Sequence, residues 1–243
     1  MSAEIIKAQW PLKSRIQVAV TTRMGGCSAP PYESLNMAQH VHDDERHVQE
    51  NRHRVASALA LPNEPMWLNQ VHGHRVLTDM QYRPGIEADG MIVTRPQTVA
   101  AIMTADCLPV VIAHQSENFG VALHCGWRSL AAGIIETAMG QLPQGRYSAW
   151  LGPAISHKHF QVGDDVREVF SNKDEQLTRC FTPDSDTLGK WYLDLYQVAR
   201  SVLAAAGVSA VFGGDFCTYS DRKRFFSYRR DGLCGRMATL VWF

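Results

Sequence analysis

The sequence predicts an α+β protein, with mixed β-sheets and flanking helices forming a single domain over residues 1–243. Three observations lead there. Short apolar, β-branched runs recur along the chain and fall in neighbouring groups. Amphipathic stretches lie between those groups without alternating strictly with them, which favours α+β over a doubly wound parallel sheet. No internal repeat, low-complexity stretch or long linker divides the chain.

Residues 16–22, IQVAVTT, read as the first strand. They run into RMGGCSAPPYESLN, a Gly/Pro/Ser-rich loop of a length often reserved for function. Residues 43–61 read as a helix, with Asp43 or Asp44 as its cap and Val48, Val55, Ala56 and Leu59 on one face. Two short strands, 66–71 and 75–80, flank His72-Gly73-His74. Residues 98–105, 108–114 and 118–125 are near-continuous apolar runs, the form of buried strands. A helix follows over 129–142 with Ser129 as cap, and residues 147–155 return as a strand. Residues 164–172 and 193–207 are helices, the second closed by Gly207. Strands over 209–214, 224–230 and 238–243 finish the chain.

Composition excludes several functions. The 24 Lys+Arg balance 24 Asp+Glu, and the pI is near 7.1. Nucleic-acid binding and polybasic docking on a membrane both need a basic excess, so neither is expected. With 45% hydrophobic and 20% charged residues the chain can bury a core. No run approaches the ~20 apolar residues of a membrane span. The first residues lack the apolar core of a secretion signal, so a cytoplasmic location is expected. In a reducing compartment the six Cys would be thiols or ligands rather than disulfides, and none forms a CxxC pair.

Ten His and six Cys are the distinctive feature. Three His-x-His pairs stand out: His40/His42, His72/His74 and His157/His159. On a strand such a pair shares one face and can hold a metal, as in copper oxidases. A copper electron-transfer centre also needs a combined Cys/His segment. His124-Cys125 comes close, but no further His follows nearby. The bland reading of pairs 40/42 and 157/159 is solvated loop histidines. A second constellation is less obvious. His72, Cys107 and His124 each fall at a strand end, where side chains from several strands can converge. Two imidazoles and a thiolate suit Zn²⁺ with a fourth position left open. The same residues also suit a buried Cys acting as a small hydrophobe and two core histidines.

TTRMGGCSAPPYESLN, WLNQVHG, MTADCLPVV, HCGWRSLAAGI, WLGPAIS, VGDDVREVF and GGDFCTYSDRKRFFSYRRDG with GRMA resemble the YfiH family. That family is also called the laccase-domain or polyphenol oxidase family, and it carries the labels purine nucleoside phosphorylase and peptidoglycan editing factor. The resemblance runs from about Thr21 to the C-terminus. It implies metal ligands and catalytic residues at His72, Cys107 and His124, the residues the strand-end argument selects. It implies a fold of mixed sheets likened to cysteine hydrolases. It also implies phosphorolysis of adenosine, inosine and S-methyl-5′-thioadenosine, deamination of adenosine, and Zn²⁺ as cofactor, with Cu²⁺ as the alternative. The partners would be purine nucleosides and phosphate. Competing activities are a copper-dependent polyphenol oxidase and a cysteine or zinc hydrolase acting on a peptidoglycan precursor.

The chain departs from the family at Cys125, Ser129 and Cys234, where Ala, Gly and Thr are usual. Cys125 neighbours His124 on a strand and would point to the opposite side. Phosphorolysis needs an anion site, and arginine is the natural bidentate partner of phosphate. Arg23, Arg128, Arg229 and Arg230 all lie in the matching segments. Arg23 precedes a glycine pair whose N–H groups can add donors, and Arg128 stands just before a helix start. Arg23 and Arg128 are the preferred substrate contacts; salt bridges are the alternative for each. Asp106, Gln70, Asn36 and Trp127 are further pocket candidates.

Overall fold

The computed structural model describes residues 2–208 and 210–243. Two large sheets and one small one form the framework. In the first, the spatial order is Ile5–Lys7, Gln17–Thr21, Met237–Trp242, Ala100–Thr104, Met66–Trp67. In the second it is Ala210–Gly213, Tyr147–Leu151, Leu108–His114, Gly120–Cys125, Gly90–Val93, Val76–Thr78. Each is mixed. Met66–Trp67 runs parallel to Ala100–Thr104, and Ala210–Gly213 parallel to Tyr147–Leu151, while the central pairs are antiparallel. A small antiparallel sheet of Gln161–Gly163, Lys190–Leu193 and Phe181–Pro183 completes the set.

Strand periodicity sets the layers. Val18, Val20 and Ile102 of the first sheet pack with Val111, Ala113 and Ala122 of the second in one core. The opposite face of the second sheet, with Val110, Ile112, Val121 and Leu123, buries against helices Ile134–Gln141, Asp164–Lys173 and Leu195–Ala205. Ala101 and Leu240, on the outer face of the first sheet, cover Val55 of helix Glu45–Leu59. The order is helix, sheet, sheet, helices. Strands buried on both faces explain the near-continuous apolar runs. Among the described residues no helix is long and apolar enough to cross a membrane.

Several elements follow expectation. Asp44 caps Glu45–Leu59, its side chain accepting from Arg46 N, and Asp194 caps Leu195–Ala205 in the same way. Others do not. The helix expected over 129–142 is two, Trp127–Ala131 and Ile134–Gln141, broken at Gly133 with φ +86. Ser129 is buried inside the first, whose cap position is Gly126. The strand expected over 224–230 is a short helix, Tyr228–Asp231, started by Ser227, with Phe225 and Phe226 sunk into the inter-sheet core. The strand expected over 209–214 is Ala210–Gly213, and Ser209 lies outside the described residues. The strand expected over 66–71 keeps a ladder at Met66–Trp67 and a single parallel bridge from Asn69 to Glu87. Beyond it the Gln70 side chain continues the pairing: Nε2 donates to Met103 O at 2.8 Å, and Oε1 accepts from Met103 N at 2.7 Å.

Candidate metal centre

Asp89 organises the site. It precedes the strand Gly90–Val93 and is fully buried. Its carboxylate accepts three successive N–H groups, from Val71 at 3.2 Å, His72 at 3.0 Å and Gly73 at 2.7 Å. Successive N–H groups of this kind form an anion-binding nest. They hold His72 at φ 59, in the left-handed region that non-glycine residues seldom enter. The same Asp89 Oδ1 accepts from His124 Nδ1 at 2.8 Å. A carboxylate fixes a ring proton on Nδ1 and turns Nε2 towards Cys107, where a bound metal would displace the second proton. Burial pushes the Asp89 carboxyl up, but the His124 bond and charge and the N–H donors outweigh it and hold it below the ordinary value.

Cys107 follows a second strained residue. Asp106 has φ 94 and is held by Thr218 Oγ1 at 2.6 Å, Ser227 Oγ at 3.0 Å and Arg229 N at 2.7 Å. Its carboxylate ties the Cys107 turn to the C-terminal segment.

These turns bring His72, Cys107 and His124 together. Their ligating atoms all lie within 4.8 Å of one another. Cys107 Sγ is 3.9 Å from His72 Nε2, and the two imidazole rings meet edge-on at 4.7 Å between centroids. Burial opposes ionisation of Cys107, but the neighbouring His124 charge and the two imidazole hydrogen bonds outweigh it and hold the thiol at about 6. Burial lowers His124, and the Cys107 thiolate and Asp89 raise it to about 9. Gly126 leaves room: a Cβ there would stand 2.9 Å from Cys107 Sγ and 3.3 Å from His72 Cδ2. Two nitrogens and one sulfur around a gap that only a glycine keeps clear are a fitting donor set for a borderline-soft cation.

The trio opens onto a cavity of about 320 Å³. Trp127, Phe160 and Tyr228 supply aromatic wall, and Arg128, Arg229 and Arg236 supply positive charge. The Arg128 guanidinium lies 4.4 Å from the Trp127 ring, and that of Arg229 lies 5.1 Å from Phe160. Arg229 also donates to Gln161 O at 2.7 Å.

Arg23 is not brought here. Its Nε donates to Glu33 O at 2.9 Å, and the guanidinium sits 4.8 Å from the Phe226 ring. Gly26 N, in the adjoining pair, is already bonded to Ser34 Oγ at 3.1 Å. Arg23 therefore anchors its loop, and Arg236, from the last motif, lines the cavity. Arg230 is turned into the fold, donating to Thr218 O and Tyr219 O at 2.8 Å each. Asn36 is likewise spent on the loop, donating to Ala38 O at 3.0 Å. Cys125 is 0% exposed in the helix-side core. Among the described residues only His72, Cys107 and His124 group as ligands, so the His-x-His pairs form no further centre. His40, expected in solvent, lines the cavity, while His159 stacks on Tyr219 at 4.5 Å.

Sequence reasoning missed Asp89, His40 and Arg236 as site residues. An acid in IEADGMIV, directly before an apolar strand, was the one available signal for Asp89.

Similar proteins share this architecture. The Neisseria meningitidis protein NMB0706 superposes with a TM-score of 0.93 at 38% identity, covering 98% of each chain. YfiH of Bacillus licheniformis gives a TM-score of 0.87 at 30% identity over 94% of this chain and 93% of that one. Among curated relatives, the protein named purine nucleoside phosphorylase YfiH from Shigella flexneri is 44% identical, with 99% of each chain covered. Its namesake from Escherichia coli (strain K12) is 43% identical, again over 99% of each. The profile described as multi-copper polyphenol oxidoreductase laccase matches residues 17–243, and with it the chain belongs to that YfiH-type laccase-like family.

Proposed function

We propose that the chain is a zinc-dependent purine nucleoside phosphorylase. On this reading it cleaves adenosine, inosine and S-methyl-5′-thioadenosine with phosphate, and it also deaminates adenosine. The observation that carries the reading is one cavity in which a His-Cys-His trio, three guanidiniums and aromatic rings face each other. The names of the curated relatives support it.

His72, Cys107 and His124, which line the cavity, would hold the metal. When bound, Zn²⁺ supplies Lewis acidity and lowers the pKa of a water. The protein's own groups do the rest. Arg128, Arg229 and Arg236 attract phosphate and neutralise its charge. Trp127, Phe160 and Tyr228 offer faces for a purine, excluding water from the sugar between base and anion. Phosphorolysis breaks the C1′–N9 bond, forms a C1′–O bond to phosphate, and leaves the base to take up a proton. Asp89 keeps the His124 proton on Nδ1 throughout.

Copper at the same trio is the second reading, because two His and one Cys are also a copper donor set. A laccase passes electrons to further copper centres, and among the described residues no second group of ligands converges. That favours the nucleoside.

The test is a metal analysis paired with turnover of adenosine plus phosphate. Stoichiometric zinc is expected, with adenine and inosine as products, both lost in His72→Ala. The reading falls if metal-replete protein forms neither product and His72→Ala behaves identically. A chelator separates the thiol-hydrolase alternative: it abolishes a zinc mechanism and leaves, or enhances, one that uses Cys107 as nucleophile.

A further inference from the structure

One acid lines a cavity whose other charged side chains suit an anion. Among the lining residues only Asp106 carries a carboxylate, while Arg128, Arg229 and Arg236 carry guanidiniums. A carboxylate beside a phosphate subsite repels the ligand, so its presence there needs another reason. Its bonds supply one. Asp106 is 8% exposed; Oδ1 accepts from Thr218 Oγ1, and Oδ2 accepts from both Ser227 Oγ and Arg229 N. A carboxylate so occupied is an anchor rather than a proton carrier.

What it anchors is the cavity wall. Tyr228 and Arg229 open the short helix Tyr228–Asp231, which buries none of its residues, and Tyr228 is 62% exposed. Apolar burial therefore does little to fix this turn, and hydrogen bonds must. Arg230 fastens its far end, donating to Thr218 O, Tyr219 O and Phe225 O at 2.8, 2.8 and 2.9 Å. The near end rests on Asp106, through Ser227 Oγ and the Arg229 N–H. Arg229 is thus held twice, by its N–H on Asp106 and by Nη1 on Gln161 O. Asp106 is also the residue before Cys107, so one carboxylate sets the arginine wall and the sulfur in a fixed relation.

We propose that Asp106 is the positioning residue of the phosphate subsite, holding the guanidinium of Arg229 where the anion binds. This rests on the phosphorylase reading above. The geometry of the carboxylate does the holding, and its charge works against the ligand. Substitutions separate the two. In Asp106→Asn the amide oxygen can take the place of Oδ2 and the NH₂ can donate to Thr218 Oγ1, so the three bonds survive and the charge goes. In Asp106→Gly the bonds go as well, while glycine adopts the φ of 94 without strain. Ser227→Ala removes one of the bonds at a residue that does not line the cavity, and it alters no charge.

The experiment is calorimetric titration with inorganic phosphate, on zinc-loaded and metal-free protein, with adenosine phosphorolysis followed in parallel. Asp106→Gly should bind phosphate about 10-fold more weakly than wild type, and Ser227→Ala about 3-fold more weakly, with or without zinc. Asp106→Asn should bind as tightly as wild type or more tightly. If Asp106→Gly also binds as tightly as wild type or more tightly, only the charge matters and the proposal is overturned. A purely structural role gives that result too, with a lower melting temperature but unchanged phosphate affinity. Equal losses in the Gly and Asn variants, or a loss confined to zinc-loaded protein, overturn it as well. Ser227→Ala decides if Asp106→Gly does not fold: unchanged phosphate affinity there refutes the positioning role. If phosphate binds but adenosine is not cleaved, the affinities still decide this proposal while the phosphorylase reading falls. If the wild type binds no phosphate, both fall.

Discussion

Replacing Asp89 with Asn should dismantle the metal site while leaving the volume of the core unchanged. The two carboxylate oxygens divide four donors: Oδ1 takes His72 N and His124 Nδ1, and Oδ2 takes Val71 N and Gly73 N. An amide has one acceptor oxygen. Whichever way it turns, its NH₂ faces two N–H groups that then have no acceptor. Each buried donor left unpaired costs about 1–3 kcal/mol, so the loss is about 2–6 kcal/mol. That is a large part of a total stability of about 5–15 kcal/mol. A loss of about 3 kcal/mol lowers the melting temperature of a chain this size by about 6–12 °C. The His124 ring also loses the group that fixes its tautomer, which should weaken zinc binding by about 10–100-fold. Thermal melting with and without zinc, and zinc competition against a chromogenic chelator, measure both effects. If Asp89→Asn melts within about 2 °C of wild type and competes for zinc equally well, the assignment of Asp89 as the organiser of the site is wrong.

Further outcomes follow from the same geometry. Gly126→Ala places a methyl 2.9 Å from Cys107 Sγ at a backbone φ of −63 that alanine tolerates, so zinc stoichiometry should fall while the far-ultraviolet spectrum stays; full zinc occupancy would contradict the cradle. Cys107, held at about 6, should alkylate rapidly with iodoacetamide at neutral pH in chelator-treated protein and slowly once zinc is restored; equal rates would show that metal does not reach the sulfur. Asp79 tests pH dependence. Burial raises its carboxyl, but bonds from Thr94 and Arg95 outweigh burial and hold it below its ordinary 3.8. Its contribution is therefore complete above the unfolded value and is lost as pH falls through the lower folded one. The urea midpoint of wild type should drop more steeply below about pH 4 than that of Asp79→Asn; parallel curves would refute this.

The sequence shows the candidate metal ligands better than their surroundings. His72, Cys107 and His124 stood out because strands end at them, which alone left a buried thiol and two core histidines as the alternative, and because NQVHG, TADCLP and HCGWR resemble the family's motifs. Arg23 and Arg128 looked alike, since both lie in matching motifs beside features that favour anions. Which of them reaches the cavity depends on Glu33 and Phe226, and such tertiary contacts leave no trace in spacing. Asp89 was invisible for the same reason: its role exists only once the His72 turn and the strand bearing His124 are folded against it. The break at Gly133 was locally encoded by a glycine, yet the apolar periodicity carried through it and concealed the two helices.

The position of the last strand governs when this protein can come into being. Met237–Trp242 lies in the middle of its sheet, between Gln17–Thr21 and Ala100–Thr104, and the strained turn before Cys107 is held by Thr218 and Ser227. A nascent chain extended through His124 therefore has all three candidate ligands and Asp89, but not the Thr218 and Ser227 that hold the turn before Cys107. The strands Gln17–Thr21 and Ala100–Thr104 must wait, unpaired at one edge, for residues made well over a hundred positions later, and contacts that close over such distances form slowly. Closure of the turn that carries Cys107 is thereby placed at the end of synthesis, after the chain has committed to its shape.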